Sequence, residues 1–198
     1  WVNSLPWEQF IPEDGSFPVI GKSHKSKLFS VSDCQSITKK AIVDRLKLKH
    51  GIAHYMPETG ALYRVEIALL KDKATVTIDT SGEGLHKRGY RVGQGEAPLK
   101  ETLAAALVLL TNWNPDTIFI DPMCGSGTIP IEAALIGQNI APGFNRHFAS
   151  EKWGFIDGAL WEQAIEEAED IANYDQSLYI TGSDIDHRMV SISEQNAT

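Results

Sequence analysis

The protein has 198 residues, 42% of them hydrophobic, which is enough chain for one large or two small packed domains. No apolar run approaches the roughly 18 residues of a membrane span, no secretory signal opens the chain, and two cysteines cannot build a disulfide framework. We therefore expect a cytoplasmic protein, and because the chain starts at Trp1 we expect a fragment of a longer one.

The formal net charge of -8 conceals two halves of opposite sign. Residues 1–95 hold 14 Lys/Arg and 10 Asp/Glu, whereas residues 96–198 hold 4 and 16, so the halves carry +4 and -12. Residues 22–49 alone carry eight Lys/Arg against two Asp. A basic part joined to an acidic one favours a polyanion bound by the first, although a charge run can also be merely a solvated surface.

The first 80 residues have the pattern of a small α+β unit. Residues 28–32 predict a short strand, residues 37–48 a helix that ends before Gly51, and residues 63–69 and 75–79 a hairpin that turns at 71–73. Residues 81–97 are rich in glycine and basic residues, and predict a connection between domains.

The rest of the chain alternates strands with helices. Strands are predicted at 117–120 and 178–182, and helices at 98–110, 129–136, 160–172 and from 189 onwards, with an irregular segment at 137–156. This order predicts a parallel, doubly wound α/β sheet. The expected domains are a basic module at 1–84, a linker at 85–97 and a second domain at 98–198.

A glycine-rich loop follows the first predicted strand of the second domain. Its sequence is Asp121-Pro122-Met123-Cys124-Gly125-Ser126-Gly127-Thr128. The glycines let the backbone approach a ligand, and the next helix presents free N–H groups. A dinucleotide fingerprint would need a third glycine where Pro130 stands, and Asp121 would repel a pyrophosphate. An acid at this position suits a ligand with an amino group and a sulfonium.

A second acid, Asp184, ends the next predicted strand. In doubly wound nucleoside sites, a carboxylate at this position accepts hydrogen bonds from both ribose hydroxyls. We expect the neighbouring Ile185 to cover one face of an adenine, and Asp186 to cap the following helix. Together, the loop and Asp184 predict a site for S-adenosylmethionine.

These motifs resemble those of the THUMP-domain RNA methyltransferases of class I fold, which methylate guanine N2 in bacterial rRNA or archaeal tRNA. The resemblance rests on residues 121–134, on Gly182-Ser183-Asp184-Ile185-Asp186, and on the connecting segments 85–91 and 97–104. It spans nearly the whole chain and implies a THUMP-type RNA-binding module at its start. It also implies a guanine turned out of its helix, whose exocyclic amine attacks the methyl group.

The family's catalytic Asn/Asp-Pro-Pro-aromatic motif is absent, because the sequence contains no Pro-Pro pair. The motif normally follows the fourth strand, so we expect the catalytic residues beyond Thr198 and name none here. Open alternatives are a tRNA substrate, adenine N6 as the acceptor, a non-catalytic RNA-binding protein that keeps the cofactor, or a nicotinamide oxidoreductase. The six histidines show no metal-binding pattern, and no metal is predicted.

The predicted RNA-binding side chains are basic residues of the first half of the chain: Lys22, Lys25, Lys27, Lys39, Lys40, Arg88 and Arg91. Structured RNA is the expected partner, with rRNA favoured over tRNA. Cys124 is interpreted as a small loop residue rather than a nucleophile. Phe144, Phe148 and Trp153 either stack on a base or pin the irregular segment to the sheet.

Overall fold

The computed structural model describes residues 1–198 as two compact units. The first unit comprises Trp1–Glu83 together with Phe148–Asp157, and the second comprises Gly84–His147 and Gly158–Thr198. Phe148–Asp157 lies outside the range expected for the first domain, because the hydrophobic pattern gave no sign that this short segment leaves the second unit. No helix combines the length and the apolar character that crossing a membrane requires.

The first unit is a three-stranded sheet with one long helix. Strand β1 (Val19–His24) pairs in parallel with β2 (Val65–Leu70), and β2 pairs antiparallel with β3 (Lys73–Ile78). Helix α1 (Val31–His50) connects β1 to β2. Two short 3₁₀ helices, Val2–Ser4 and Trp7–Gln9, precede the sheet. The predicted hairpin and helix are present.

The predicted strand at 28–32 is wrong, because the strand of this region is β1. Gly21, Lys22 and Ser23 interrupt the apolar alternation of β1, which hides it from the hydrophobic pattern. Ser30 instead caps α1, its Oγ accepting a hydrogen bond from the Asp33 amide at 3.4 Å. Gly51 ends the helix in the left-handed conformation, with φ of 71°.

The core of the first unit includes a residue from the distant segment Phe148–Asp157. Trp153 is buried and stacks on Tyr63, with ring centroids 5.0 Å apart and planes 19° apart. Its indole Nε1 donates a hydrogen bond to the Leu62 carbonyl at 2.9 Å. Trp153 therefore packs in the core and does not face solvent as a base-stacking residue would.

The second unit contains strands β4 (Phe119–Asp121) and β5 (Ile180–Gly182) and helices α2 (Glu101–Leu109), α3 (Thr128–Gly137), α4 (Gly158–Asp170) and α5 (His187–Asn196). β4 and β5 are parallel, as predicted, with Asp121 opposite Gly182. Helix α2 begins at Glu101, three residues later than the predicted start at Pro98. The Leu99 carbonyl lies before the helix, and it accepts a hydrogen bond from the Arg91 guanidinium instead of one from a helical amide.

Apolar side chains in this two-stranded sheet, and in the residues just before its strands, are exposed to solvent. Ile118 and Ile120 expose 71% and 67% of their surface, and Tyr179 is exposed as well. Parallel sheets are normally covered on both faces. The strands nevertheless hold the loop after β4 and the turn after β5 side by side.

Candidate functional site

The two predicted acids converge at the carboxyl ends of β4 and β5. The Cys124 amide donates to the Ser183 carbonyl and the Ser183 amide donates to the Asp121 carbonyl, each at 2.9 Å. The Gly125 amide donates to Asp184 Oδ2, also at 2.9 Å. Ligands of doubly wound sheets bind at this edge, where the strands end.

The glycine loop, residues 121–127, needs its glycines for conformation and for space. Gly125 and Gly127 have φ of 54° and 82°, a region that other residues rarely adopt. A Cβ on Gly127 would also lie 2.8 Å from the Cβ of Ser193 on α5. Gly127 flanks the start of α3, so the loop delivers the chain into that helix in a tight turn.

Asp184 binds backbone on both sides of its carboxylate. Oδ2 accepts from the Gly125 amide, and Oδ1 accepts from the Asp186 amide at 2.9 Å. Each carboxylate oxygen has a second lone pair, so acceptor capacity remains for a ligand. Ile185 projects into solvent with 99% of its surface exposed.

Asp186 has the capping role that the sequence predicted. Its side chain accepts a hydrogen bond from the Arg188 amide at the first turn of α5. The Arg188 guanidinium bonds the same carboxylate, and this holds the pKa of Asp186 below its usual value. Asp186 therefore serves the helix, whereas Asp184 ties the two site loops together.

A cavity of about 370 Å³ opens beside the glycine loop. Its lining includes the segment 95–99, the loop residues Asp121, Met123, Cys124, Gly125 and Ser126, and Thr128, Ile129 and Met189. Its ionisable side chains include the carboxyl groups of Glu96 and Asp121, and it has no Lys or Arg. Such a lining suits a cationic ligand with apolar parts and disfavours a pyrophosphate. Among the predicted cofactor residues, Pro122, Gly127, Asp184 and Ile185 lie outside this lining.

Arg91 does not line this cavity, but it holds the glycine loop in place. Its guanidinium donates to Ser126 Oγ at 3.1 Å and Thr128 Oγ1 at 2.9 Å, and to the Leu99 carbonyl at 3.1 Å. Nε pairs with Glu101 Oε1 at 2.7 Å, and both side chains are largely buried. Arg91 thus joins the segment before α2, the loop and the start of α3.

Asn196, which the sequence did not single out, binds the same loop from α5. It is buried, and its Nδ2 donates to the carbonyls of Ser126 and Gly93 at 2.9 and 3.0 Å. Its Oδ1 accepts from the amides of Val92 and Gly93. All the hydrogen-bonding capacity of this amide is used to hold two backbone segments together.

Arg88 lies in a second buried cluster. Its guanidinium bonds both carboxylate oxygens of Glu132 at 3.4 Å, and Tyr90 Oη donates to Glu132 Oε1 at 3.1 Å. Burial raises the pKa of Glu132, and burial together with the carboxylates of Glu132 and Glu101 raises the pKa of Tyr90. The cluster ties residues 88–90 to α3.

These contacts correct the prediction that Arg88 and Arg91 bind RNA, since both guanidinium groups are committed to buried glutamates. The sequence carried a signal for this. Glu101 and Glu132 stand in otherwise apolar helical stretches, and a carboxylate on a buried helix face requires a cationic partner.

The five predicted lysines differ in whether their ammonium groups are paired with carboxylates. Lys39 bonds both Glu58 oxygens at 2.7 Å and lies 3.5 Å from the Phe17 ring centroid, so it is a structural residue rather than a free RNA contact. Lys22 pairs with Glu66 at 2.7 Å but remains mostly exposed. Lys25, Lys27 and Lys40 are exposed, and their ammonium groups form no salt bridge.

Cys124 is a packing residue of the loop. It is buried, and a Cβ on Gly182 would lie 3.1 Å from both its Cβ and its Sγ. Burial, with the nearby carboxylates of Asp121 and Asp184, raises the pKa of the thiol. Since the thiolate is the nucleophilic form, this environment opposes nucleophilic catalysis by Cys124.

Parallel strands that end in a glycine loop and a second carboxylate define a Rossmann-like nucleoside-binding domain. The chain belongs to the RMKL-like methyltransferase domain family, whose model matches residues 88–198. Residues 1–79, which form most of the first unit, match the THUMP domain.

Relatives share both regions. The YpsC protein of Bacillus subtilis (strain 168), provisionally named an RNA methyltransferase, is 67% identical over 197 residues, which are 99% of this chain and 51% of that protein. A solved structure from Listeria monocytogenes str. 4b F2365, described as a predicted N6-adenine-specific DNA methylase, is 62% identical with a TM-score of 0.95, covering 99% and 52% of the two chains. The provisionally assigned methyltransferase SMU.472, solved with SAH, is 52% identical with a TM-score of 0.92 and the same coverage. This chain therefore spans about half the length of these relatives.

Proposed function

We propose that the protein is an S-adenosylmethionine-dependent RNA methyltransferase. The observation that carries this proposal is the acidic, partly apolar cavity of about 370 Å³ beside the glycine loop. S-adenosylmethionine has a cationic amino group, a sulfonium and an adenosine, and the cavity supplies carboxylates and apolar surface but no cationic side chain. SMU.472, solved in complex with SAH, supports the same cofactor class.

The residues of this chain fit that ligand as follows. Asp121 and Glu96, with their carboxylates at the cavity, would bind the amino group, and the backbone of Gly125–Thr128 would approach the methionine part closely. Asp184 would accept from the ribose hydroxyls with its remaining lone pairs, and Ile185 would cover the adenine. Bound there, the cofactor supplies an electrophilic methyl group.

The finer proposal concerns the acceptor, which we propose is guanine N2 in rRNA. It rests on the resemblance of the motif set to the guanine-N2 enzymes, and on the THUMP region. A second candidate for the acceptor is adenine N6, because the Listeria relative is described as a predicted N6-adenine-specific DNA methylase. None of the 198 residues is assigned the role of activating the acceptor amine, and the chain covers about half of its relatives' length.

The test combines cofactor binding with product identity. Calorimetric titration of the full-length protein with S-adenosylmethionine should show one site, and NADH should not compete for it. The protein is then incubated with separate rRNA and tRNA fractions from cells that lack it, and the nucleosides are analysed by mass spectrometry. N2-methylguanosine in rRNA is the expected product.

Three other outcomes would each revise a different part of the proposal. N6-methyladenosine would replace the acceptor, and product in tRNA alone would replace the substrate. Cofactor binding without any methylated nucleoside would leave a non-catalytic RNA-binding protein. A cofactor-binding variant, Asp184→Ala, serves as the negative control for the methylation assay.

A further inference from the structure

One end of the first unit carries a cluster of lysines that the sequence did not bring together. The cluster, here named the cationic tip, consists of residues 24–29 after β1 and residues 70–73 at the β2–β3 turn. Lys25, Lys27, Lys71 and Lys73 are all exposed, and no salt bridge involves them. The tip contains one acid, Asp72.

Asp72 does not neutralise these lysines through an ion pair, because it binds backbone. Its Oδ1 accepts a hydrogen bond from the Lys27 amide at 2.7 Å. Its own amide donates to Ser26 Oγ at 3.0 Å, and the Lys71 amide donates to the His24 carbonyl at 3.1 Å. The two segments are therefore tied to each other, and a ligand would meet a preorganised surface.

The backbone of the tip places lysine where lysine is unfavourable. Lys71 and Asp72 form a two-residue turn with φ of 50° and 63°, and Lys25 has φ of 48°. Glycine or asparagine adopts this left-handed conformation at lower cost. Strained residues of this kind cluster at binding sites, which gives these lysines a reason to be present beyond local structure.

An aromatic ring stands beside the lysines. Phe29 exposes 82% of its surface and Leu28 exposes 66%, and both line an apolar groove of about 450 Å³ that reaches Ile37 and Ile67. The residues around Phe29 are fixed, because Ser23 Oγ donates to the Leu28 carbonyl at 2.7 Å and Ser30 caps α1. The ring is thus presented to solvent on an ordered backbone.

We propose that the cationic tip binds single-stranded RNA, with one base stacked on the Phe29 ring and the flanking phosphates bound by Lys25, Lys27, Lys71 and Lys73. An aromatic face among lysines is how proteins hold unpaired nucleotides, because every base has a stacking face and every nucleotide carries a phosphate. The inference rests on the proposed function, since it names where that enzyme contacts its RNA. The net positive charge of the tip, four lysines against Asp72, favours RNA over a protein segment as the ligand.

The experiment measures RNA binding by the full-length protein, using a short fluorescent single-stranded RNA of mixed sequence and a duplex of the same sequence. Phe29→Ala should weaken single-strand binding about tenfold, and Phe29→Trp should restore it. The matched control is Tyr55→Ala, which removes an equally exposed aromatic ring of the same unit and should change nothing. Lys71→Ala should lower both the affinity and its salt dependence, unlike Lys49→Ala at the far end of α1.

Equal binding by Phe29→Ala and Tyr55→Ala would overturn the proposal, and so would equal affinity of the wild type for single strand and duplex. Loss of thermal stability in Phe29→Ala with unchanged RNA binding would also overturn it, because the ring would then contribute to folding and not to RNA binding. A wild type that binds no RNA would instead reject the proposed function itself.

Discussion

The Nη2 atom of Arg91 donates a hydrogen bond to Oγ1 of Thr128 over 2.9 Å, and this bond ties the connecting segment to the first residue of α3. The same guanidinium reaches Ser126 in the glycine loop. The loop therefore owes its position to a residue 37 positions earlier in the chain. A substitution at Arg91 should therefore alter ligand binding in the cavity, although Arg91 does not line it.

Arg91→Lys should weaken S-adenosylmethionine binding about tenfold, or about 1.4 kcal/mol, in a protein that still folds. Lysine keeps the positive charge near Glu101, but its single ammonium cannot donate to Ser126, Thr128 and Leu99 in the same planar geometry. Calorimetric titration gives the affinity. Arg64→Lys, which alters a comparable arginine in the first unit, should leave it unchanged, and equal affinities for all three proteins would contradict the role of Arg91.

Asp184→Ala should reduce cofactor affinity at least tenfold, about 1.4 kcal/mol, because it removes the proposed ribose acceptor and the Gly125 contact together. Asp184→Asn should be intermediate, since its one oxygen can serve only one of the two amides. Asp116→Ala is the control, as it removes an equal charge before β4. If Asp184→Ala bound as tightly as Asp116→Ala, the ribose would have to lie elsewhere.

Glu8→Gln should make the first unit less sensitive to acid. Hydrogen bonds from Arg45, at 2.5 and 2.8 Å, lower the pKa of Glu8 from 4.5 to about 2. A carboxyl whose folded pKa is depressed stabilises the fold above its unfolded pKa, and this contribution disappears as the pH falls from 4.5 toward 2.

Thermal unfolding at neutral pH and near pH 3 measures the effect. The wild type should lose more of its midpoint temperature on acidification than Glu8→Gln does. Glu13→Gln, at an exposed site, should behave as the wild type. An identical loss in the wild type and Glu8→Gln would mean that this ion pair contributes nothing to acid stability.

Trp153→Ala should destabilise the first unit by about 3–5 kcal/mol, because it empties a buried site and leaves the Leu62 carbonyl without its donor. Urea unfolding followed by far-ultraviolet circular dichroism gives the value. The half-exposed neighbour Phe155 provides the comparison, and Phe155→Ala should cost clearly less. A similar loss of unfolding free energy in both variants would contradict the assignment of Trp153 to the core.

Local patterns predicted the parts of the site that depend on local sequence. The strand, the glycine loop and the helix are consecutive, so Asp121 and Gly127 could be placed without tertiary knowledge. Asp184 followed from the same pattern at the second strand, and the parallel pairing of β4 with β5 was confirmed. The cofactor roles of these residues stay predictions.

Roles that depend on distant partners were not predictable in the same way. Arg88 and Arg91 look like RNA contacts in a basic segment, and only folding brings Glu132 and Glu101 against them. Lys71 and Lys73 were overlooked because a turn of alternating charge looks neutral until β1 places Lys25 and Lys27 next to it. Strand β1 itself was missed because pairing with β2, rather than its own composition, makes it a strand.

The membership of Phe148–Asp157 in the first unit means that the chain passes between the units three times, after Glu83, His147 and Asp157. A THUMP region cut out as one continuous segment would lack Trp153, and the complementary piece would carry that tryptophan without Tyr63 to stack on. A single protease cut after Glu83 would likewise leave the two units joined by the other two passages. Exchange of the whole first unit by recombination would therefore need a crossover at each of these three passages.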